Sequence, residues 1–160
     1  MNRWTRINLV LALLAAALLL VDRLGGRADG SDPLTGLDPQ AVDAVRVERG
    51  DRLTLALERS NGSWRLSHPE SAPARADRVA ALLAVARAPV VQRLGAATEA
   101  ADYGLAGPTA VLQLDATRIA FGDRDPSQRN RYVAVNGNVA VIDELFFNLL
   151  GLPAGHFRED

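Results

Sequence analysis

Hydrophobic and polar positions fall into three regimes along this chain. The first is an unbroken apolar run, Ile7–Val21, set between Arg3 and Arg6 on one side and Asp22 and Arg23 on the other. As a helix this run covers roughly 22 Å at about 1.5 Å per residue, short of the ~30 Å hydrocarbon layer of a bilayer. Extended from Trp4 to Leu24 it reaches about 31 Å. Arg6 and Arg23 can then reach back to the interfaces, and Trp4 becomes a belt residue. A membrane anchor over residues 1–24 is predicted, carried by Trp4, Ile7, Leu14 and Val21, with its amino end in the cytoplasm and the remainder exported. A cleaved signal peptide is the rival reading. It is disfavoured because Ala28 and Gly30, the nearest small pair at cleavage spacing, lie late after the apolar core.

The second regime, residues 25–40, has no hydrophobic period and is rich in Gly, Asp and Pro, which predicts a tether. The part near Leu34 and Leu37 is read equally well as a loop packed on the domain. The third regime, residues 41–160, alternates. Val45 and Val47, then Leu53, Leu55 and Leu57, then Trp64 and Leu66 predict three short strands, with turns at Gly50-Asp51 and Asn61-Gly62. A helix is predicted near Asp77–Ala88, with Val79, Leu82, Leu83 and Ala86 on one face, Asp77 as its cap and Pro89 as its stop. Val90–Leu94 predicts a further short strand, and Thr98–Tyr103 one helical turn closed by Gly104. Strands follow at Ala110–Leu114, Ile119–Phe121, Tyr132–Val135 and Val139–Ile142, the last two joined by Asn136-Gly137. Asp143 then caps a helix ended by Gly151 and Pro153. The expected fold is therefore α+β: an N-terminal transmembrane helix, then antiparallel β-meanders with two main covering helices. Meander followed by helix, twice, hints at a degenerate duplication.

Composition narrows the function classes. All 18 basic residues are arginines, set against 19 acidic ones, and three of the arginines flank the apolar run, so the exported part is acidic. That balance gives no pull toward nucleic acid. Without cysteine there is no disulfide, thiol nucleophile or thiolate metal site. His68 and His156 are too far apart in sequence to read as a metal pair, so no metal, cofactor or catalytic residue is assigned. Residues 123–128 open like a calcium loop, but Gln128 stands where the sharp turn needs Gly and Ala134 where the bidentate Glu should fall; a hairpin loop is expected. Arg49-Gly50-Asp51 matches an adhesion tripeptide and reads as a turn, as does Asn61-Gly62-Ser63, formally a glycosylation acceptor. The adjacent pair Phe146-Phe147 cannot place both rings on one side of a helix. Phe146, Phe147 and Leu150 are therefore the expected partner-binding face.

Several local patterns recur together: Trp64-x-Leu66-x-x-Pro69, a helix opened by Ala76-Asp77, Tyr103-Gly104-Leu105-x-x-Pro108, a strand ending at Gly122, and Arg131-Tyr132-Val133. Over residues 38–158 the chain resembles an uncharacterised bacterial family of membrane-anchored domains of unknown function, often encoded beside components of gliding-motility-type ABC transporters. The resemblance implies a single-pass protein of the bacterial inner membrane with its domain in the periplasm or outside. It also implies an accessory role whose partners are membrane lipid and ABC transporter subunits. Trp64, Leu66, Pro69, Asp77, Tyr103, Gly104, Leu105, Pro108, Gly122 and Tyr132 carry the resemblance as structural positions. The alternative reading is a periplasmic module binding a small molecule or glycan.

Overall fold

The computed structural model describes residues 32–96 and 100–159. A first meander comprises β1 (Ala44–Arg49), β2 (Arg52–Ser60), β3 (Ser63–His68) and the two-residue β4 (Ala72–Pro73). After it come α1 (Ala76–Leu83), a 3-10 turn at Ala84–Arg87 and β5 (Val90–Ala96). A second meander comprises β6 (Ala110–Leu114), β7 (Thr117–Arg124), β8 (Asn130–Val135) and β9 (Asn138–Asp143), followed by α2 (Leu145–Leu149). Both Asn-Gly pairs turn as their chemistry dictates: Asn61, Gly62, Asn136 and Gly137 all have positive φ, the conformation a two-residue hairpin needs.

The α+β expectation is corrected by the sheet. All nine strands join one sheet in the order β4-β3-β2-β1-β6-β7-β8-β9-β5, every pair antiparallel. Among the described residues the α-helices are accessories of 8 and 5 residues. The first is shorter than its apolar period suggested because residues 84–87 tighten into the 3-10 turn and Pro89 follows directly. Its N-cap position is Arg75, with Asp77 inside the first turn. No helix among the described residues is long and apolar enough to cross a membrane. The expected anchor, with Trp4, Ile7, Leu14 and Val21, lies outside the described residues, as do tether residues 25–31 and Thr98.

The two meanders meet at their first strands, β1 and β6, and each runs outward from that seam. This is the strand order expected of two units related by a twofold axis normal to the sheet. One face carries the main core: Val45 and Val47, Leu55 and Leu57, Leu112 and Leu114, Ile119 and Phe121, covered by α1, α2 and residues 34–42. Leu34 belongs to this core, and Leu34 N–H bonds to Ala88 O at 2.9 Å, so this stretch packs on the domain.

A smaller cluster lies on the opposite face of the second meander. Leu105, Ala120 and Val139 are buried there, with Leu94, Tyr103, Tyr132 and Ala134 packed against them. Both sheet edges are partly closed by the chain: Ala74 bridges Arg158 beside β4, and Pro33 bridges Pro89 ahead of β5.

Candidate partner-binding surface

The site is built around α2 and the strand end beneath it. Alternation along β8 turns Arg131, Val133 and Val135 toward the main core, which places a guanidinium among buried side chains. Glu144, just ahead of α2, meets it with two bonds: Arg131 Nε to Oε2 at 2.7 Å and Nη2 to Oε1 at 2.9 Å. Arg131 Nη1 donates to Gly122 O, and Arg124 Nε donates to Glu144 Oε1 at 2.9 Å. Burial raises the Glu144 carboxyl, but the bonds from Arg131 and then Arg124 outweigh it, holding it below the ordinary carboxylate range. Phe147 lies over this pair, its ring centroid 3.6 Å from the Arg131 guanidinium carbon and 5.8 Å from the Phe121 ring. The guanidinium carbon of Arg49 is 5.3 Å from the same ring, so the first residue of the Arg49-Gly50-Asp51 tripeptide is packed against the domain.

These contacts pin the rotation of α2 and decide which side faces outward. Phe147 and Leu150 are buried, so two of the three residues expected on a partner face belong to the core. Phe146 is half-buried, and Leu145 is 64% exposed. Leu145, Leu149 and Leu152 follow one another at helical spacing, and Leu149 and Leu152 are half-buried. The less buried apolar side thus runs from Leu145, Phe146 and Leu149 of α2 to Leu152 beyond it, the last three also packing against the main core.

The stripe runs into a groove of about 280 Å³ between α1 and the chain after α2, lined by Ala81, Leu82, Leu149, Leu152, His156 and Phe157. Asp77 and Arg78 also line it. Asp77 Oδ1 and Oδ2 accept from Arg75 Nε at 3.3 Å and Nη2 at 3.1 Å, and these bonds hold the Asp77 carboxyl below its ordinary value. Arg78 Nε is 3.7 Å from Asp77 Oδ2, too far for a hydrogen bond.

The remaining positions carrying the family resemblance are structural. Trp64 and Leu66 are core residues of β3, and Pro69 follows that strand across a cis peptide. Gly104 has φ +69, and a Cβ there would collide with the Asp123 carboxylate. Gly122 lies inside β7 and does not end it as expected; a Cβ there would collide with Tyr103 O, so the Tyr103-Gly104-Leu105 strap and β7 need each other's glycine. Tyr103 and Tyr132 complete the strap with ring centroids 4.7 Å apart, and half-buried Pro108 leads from it into β6.

Two further hollows are open and polar. One of about 950 Å³ lies beside the β2–β3 turn, with Asn61, Trp64, Arg65, Arg75, Asp77 and Glu159 among its walls. The other, about 550 Å³, lies on the uncovered sheet face over Arg46, Gln113 and Arg118. In the calcium-like loop the Asp125 carboxylate accepts from Asn130 Nδ2 at 2.9 Å, Ser127 Oγ at 2.7 Å and Asn130 N at 3.2 Å; its lone pairs serve the hairpin. Among the described residues no three His, Asp or Glu side chains are grouped to hold a metal ion.

No curated protein and no solved structure matches the chain. A family model does match, over residues 64–160, a stretch that holds Trp64, the Tyr103–Leu105 strap, Gly122, Arg131 and the whole of α2. By that match the chain belongs to the family described as Domain of unknown function (DUF4340).

Proposed function

We propose that this protein is an accessory protein of the bacterial envelope, held at the inner membrane by its amino-terminal apolar run, whose domain binds protein partners of an ABC-type transport or motility assembly. No catalysis is part of this reading. The observation that supports it is the outer side of α2. Leu145 stands 64% exposed at the head of a strip continued by half-buried Leu149 and Leu152, while Phe147 and the C-cap residue Leu150 turn inward. Leu145 alone is exposed, and it extends the half-buried Leu149 and Leu152 into an apolar strip at the mouth of the groove, which supports a contact surface there. The membrane location rests on the run Ile7–Val21, and the class of partner on the family resemblance.

The test is affinity capture of the full-length protein at native expression in gentle detergent. Transport subunits should be recovered, and Leu145→Asp should lower their recovery at least fivefold while the circular dichroism spectrum stays unchanged. Recovery of the protein alone sinks the reading. The open hollow beside Trp64 supports the alternative, a module for a small molecule or glycan, because polar side chains of both charges converge there. In that case added saccharide would change the Trp64 fluorescence, and capture would bring down no transport subunit.

A further inference from the structure

The chain enters the domain at one defined place. Asp32 O accepts from Val90 N at 3.3 Å, Pro33 bridges Pro89, and Arg93 Nη2 donates to Pro33 O at 2.9 Å. Asp32 is thus fastened to the first residue of β5. Strand pairing then sets what else lies at that end of the sheet. Val90 pairs with Ile142 near the end of β9, and Asn130, which opens β8, pairs with Asp143. Leu145 comes two residues later, its N–H donating to Asp143 Oδ1 at 2.7 Å. The entry point, the start of β5 and the head of α2 therefore share one corner.

That corner holds the two most exposed large apolar side chains among the described residues, Val91 at 61% and Leu145 at 64%. The next, Leu53, belongs to β2, five strands away from β9. At 20–25° of twist per strand, that end of the sheet points about 100° away. Charge at the corner is not one-sided: Arg93, Arg124 and Arg129 are matched by Asp32, Asp125 and Asp143.

The length of chain ahead of Asp32 supplies the occupant. With the apolar run extended to Leu24, seven residues, 25–31, remain between it and the domain. Fully extended they span at most about 25 Å, and a Gly-rich coil of that length averages about 15 Å. A domain of this size is roughly 35 Å across, so the corner that carries Asp32 is the part kept nearest the lipid.

We propose that this corner rests on the bilayer surface, with Val91 and Leu145 seated among the headgroups and upper acyl chains. The inference rests on the reading of Ile7–Val21 as a membrane anchor, and adds that the folded domain itself touches lipid. A flat surface meeting the sheet end-on reaches exposed side chains on either of its faces. Covering about three-fifths of a valine or leucine gives roughly a fivefold to tenfold factor in binding. Two such factors are too little to hold a free domain, yet enough to orient one that a tether already keeps there. Because the corner's charges are matched, the contact does not need anionic lipid. The α2 strip is then offered to a partner at the lipid surface, where a membrane-spanning subunit emerges.

The chain has no cysteine, so single labels report on single positions. Full-length Val91→Cys, Leu145→Cys and Ala116→Cys, each carrying a nitroxide, are incorporated into phosphatidylcholine vesicles. Ala116, in the β6–β7 turn, is exposed at the opposite end of the sheet. Spin relaxation is compared between oxygen, which concentrates in lipid, and a nickel chelate, which stays in water. The oxygen-to-nickel ratio should be at least about threefold higher at 91 and 145 than at 116. It should change little when a third of the lipid is phosphatidylglycerol. Val91→Asp should lower the ratio at 145 toward that at 116, with the circular dichroism spectrum unchanged.

Equal ratios at the three positions overturn the proposal, as does a raised ratio that appears only with anionic lipid. So does a ratio at 145 that Val91→Asp leaves unchanged. Protein that floats with the vesicles while 91 and 145 stay in water loses the contact and keeps the anchor; if capture then still depends on Leu145, the corner is a protein surface alone. Protein that does not float removes the anchor reading and this inference together.

Discussion

Arg131 stands in the inward phase of β8, two residues before Val133 and four before Val135, where an isolated charge would cost several kcal/mol. Glu144 and the Gly122 carbonyl satisfy it, and with side-chain exposures of 8% and 11% the Arg131–Glu144 pair is screened little by water. Removing one partner is then worse than removing both. Glu144→Gln should lower unfolding stability by about 3 kcal/mol, measured by urea denaturation at neutral pH. The carboxyl is held below its unfolded value, so its contribution is full above about pH 4.3 and is lost as pH falls through the folded value. The difference between wild type and variant should therefore shrink toward zero in acid; a difference constant from pH 7 to pH 3 would mean the pair is not what the substitution disturbs. In the sequence Arg131 was legible only as a charge just ahead of the expected strand Tyr132–Val135, and not as a core residue. Glu144 was not, because an acid at a helix start is already explained by the helix dipole, and nothing local shows that it turns inward.

Short elements were legible where a single residue decides the backbone, and illegible where packing decides. Asn61-Gly62 and Asn136-Gly137 announce their hairpins because they tolerate positive φ. The rotation of α2 could not be read from Phe146-Phe147, since a helix of 5 residues has no period of its own to phase it. Stacking on Arg131 turns Phe147 inward and leaves Leu145 outward. β4, two residues long with Pro73 in it, carries no strand signal and exists because β3 presents an edge. The strap at Tyr103–Leu105 lies between these cases: its Gly104 turn was visible, but its partner Gly122 was expected to end a strand that in fact continues to Arg124. Gly122→Ala should cost about 2 kcal/mol by overpacking. It should also speed hydrogen exchange at Leu105 and Ala120 more than at Val45, which lies in the other cluster. Uniform loss of protection across the sheet would show that the strap is not a separate unit.

For the whole molecule, the strand count was largely legible and the single sheet was not, because no local pattern states that β1 and β6 are neighbours. Among the described residues, the buried side chains of the main cluster run from Leu34 to Phe157 and pack on one another. A chain starting at residue 25, exported behind a cleavable signal, should therefore melt within about 2 °C of the full-length protein by circular dichroism, while its recovery of transport subunits falls at least tenfold. Undiminished recovery would reduce the apolar run to a targeting device. The seam between β1 and β6 also constrains how the sheet is made. Hairpins joined by two-residue turns close at little entropic cost, whereas pairing Arg49 with Ala110 closes a loop of about sixty residues, on the order of 3–4 kcal/mol of chain entropy. Each meander can form early, and the seam closes late. Until it does, β1 offers the bare backbone edge of Val45–Val47 to any strand that reaches it first, and during synthesis that interval lasts until residue 114 is available. A chain interrupted between β5 and β6 is thus a worse hazard than an unfolded one: a finished half-sheet whose middle is its open edge.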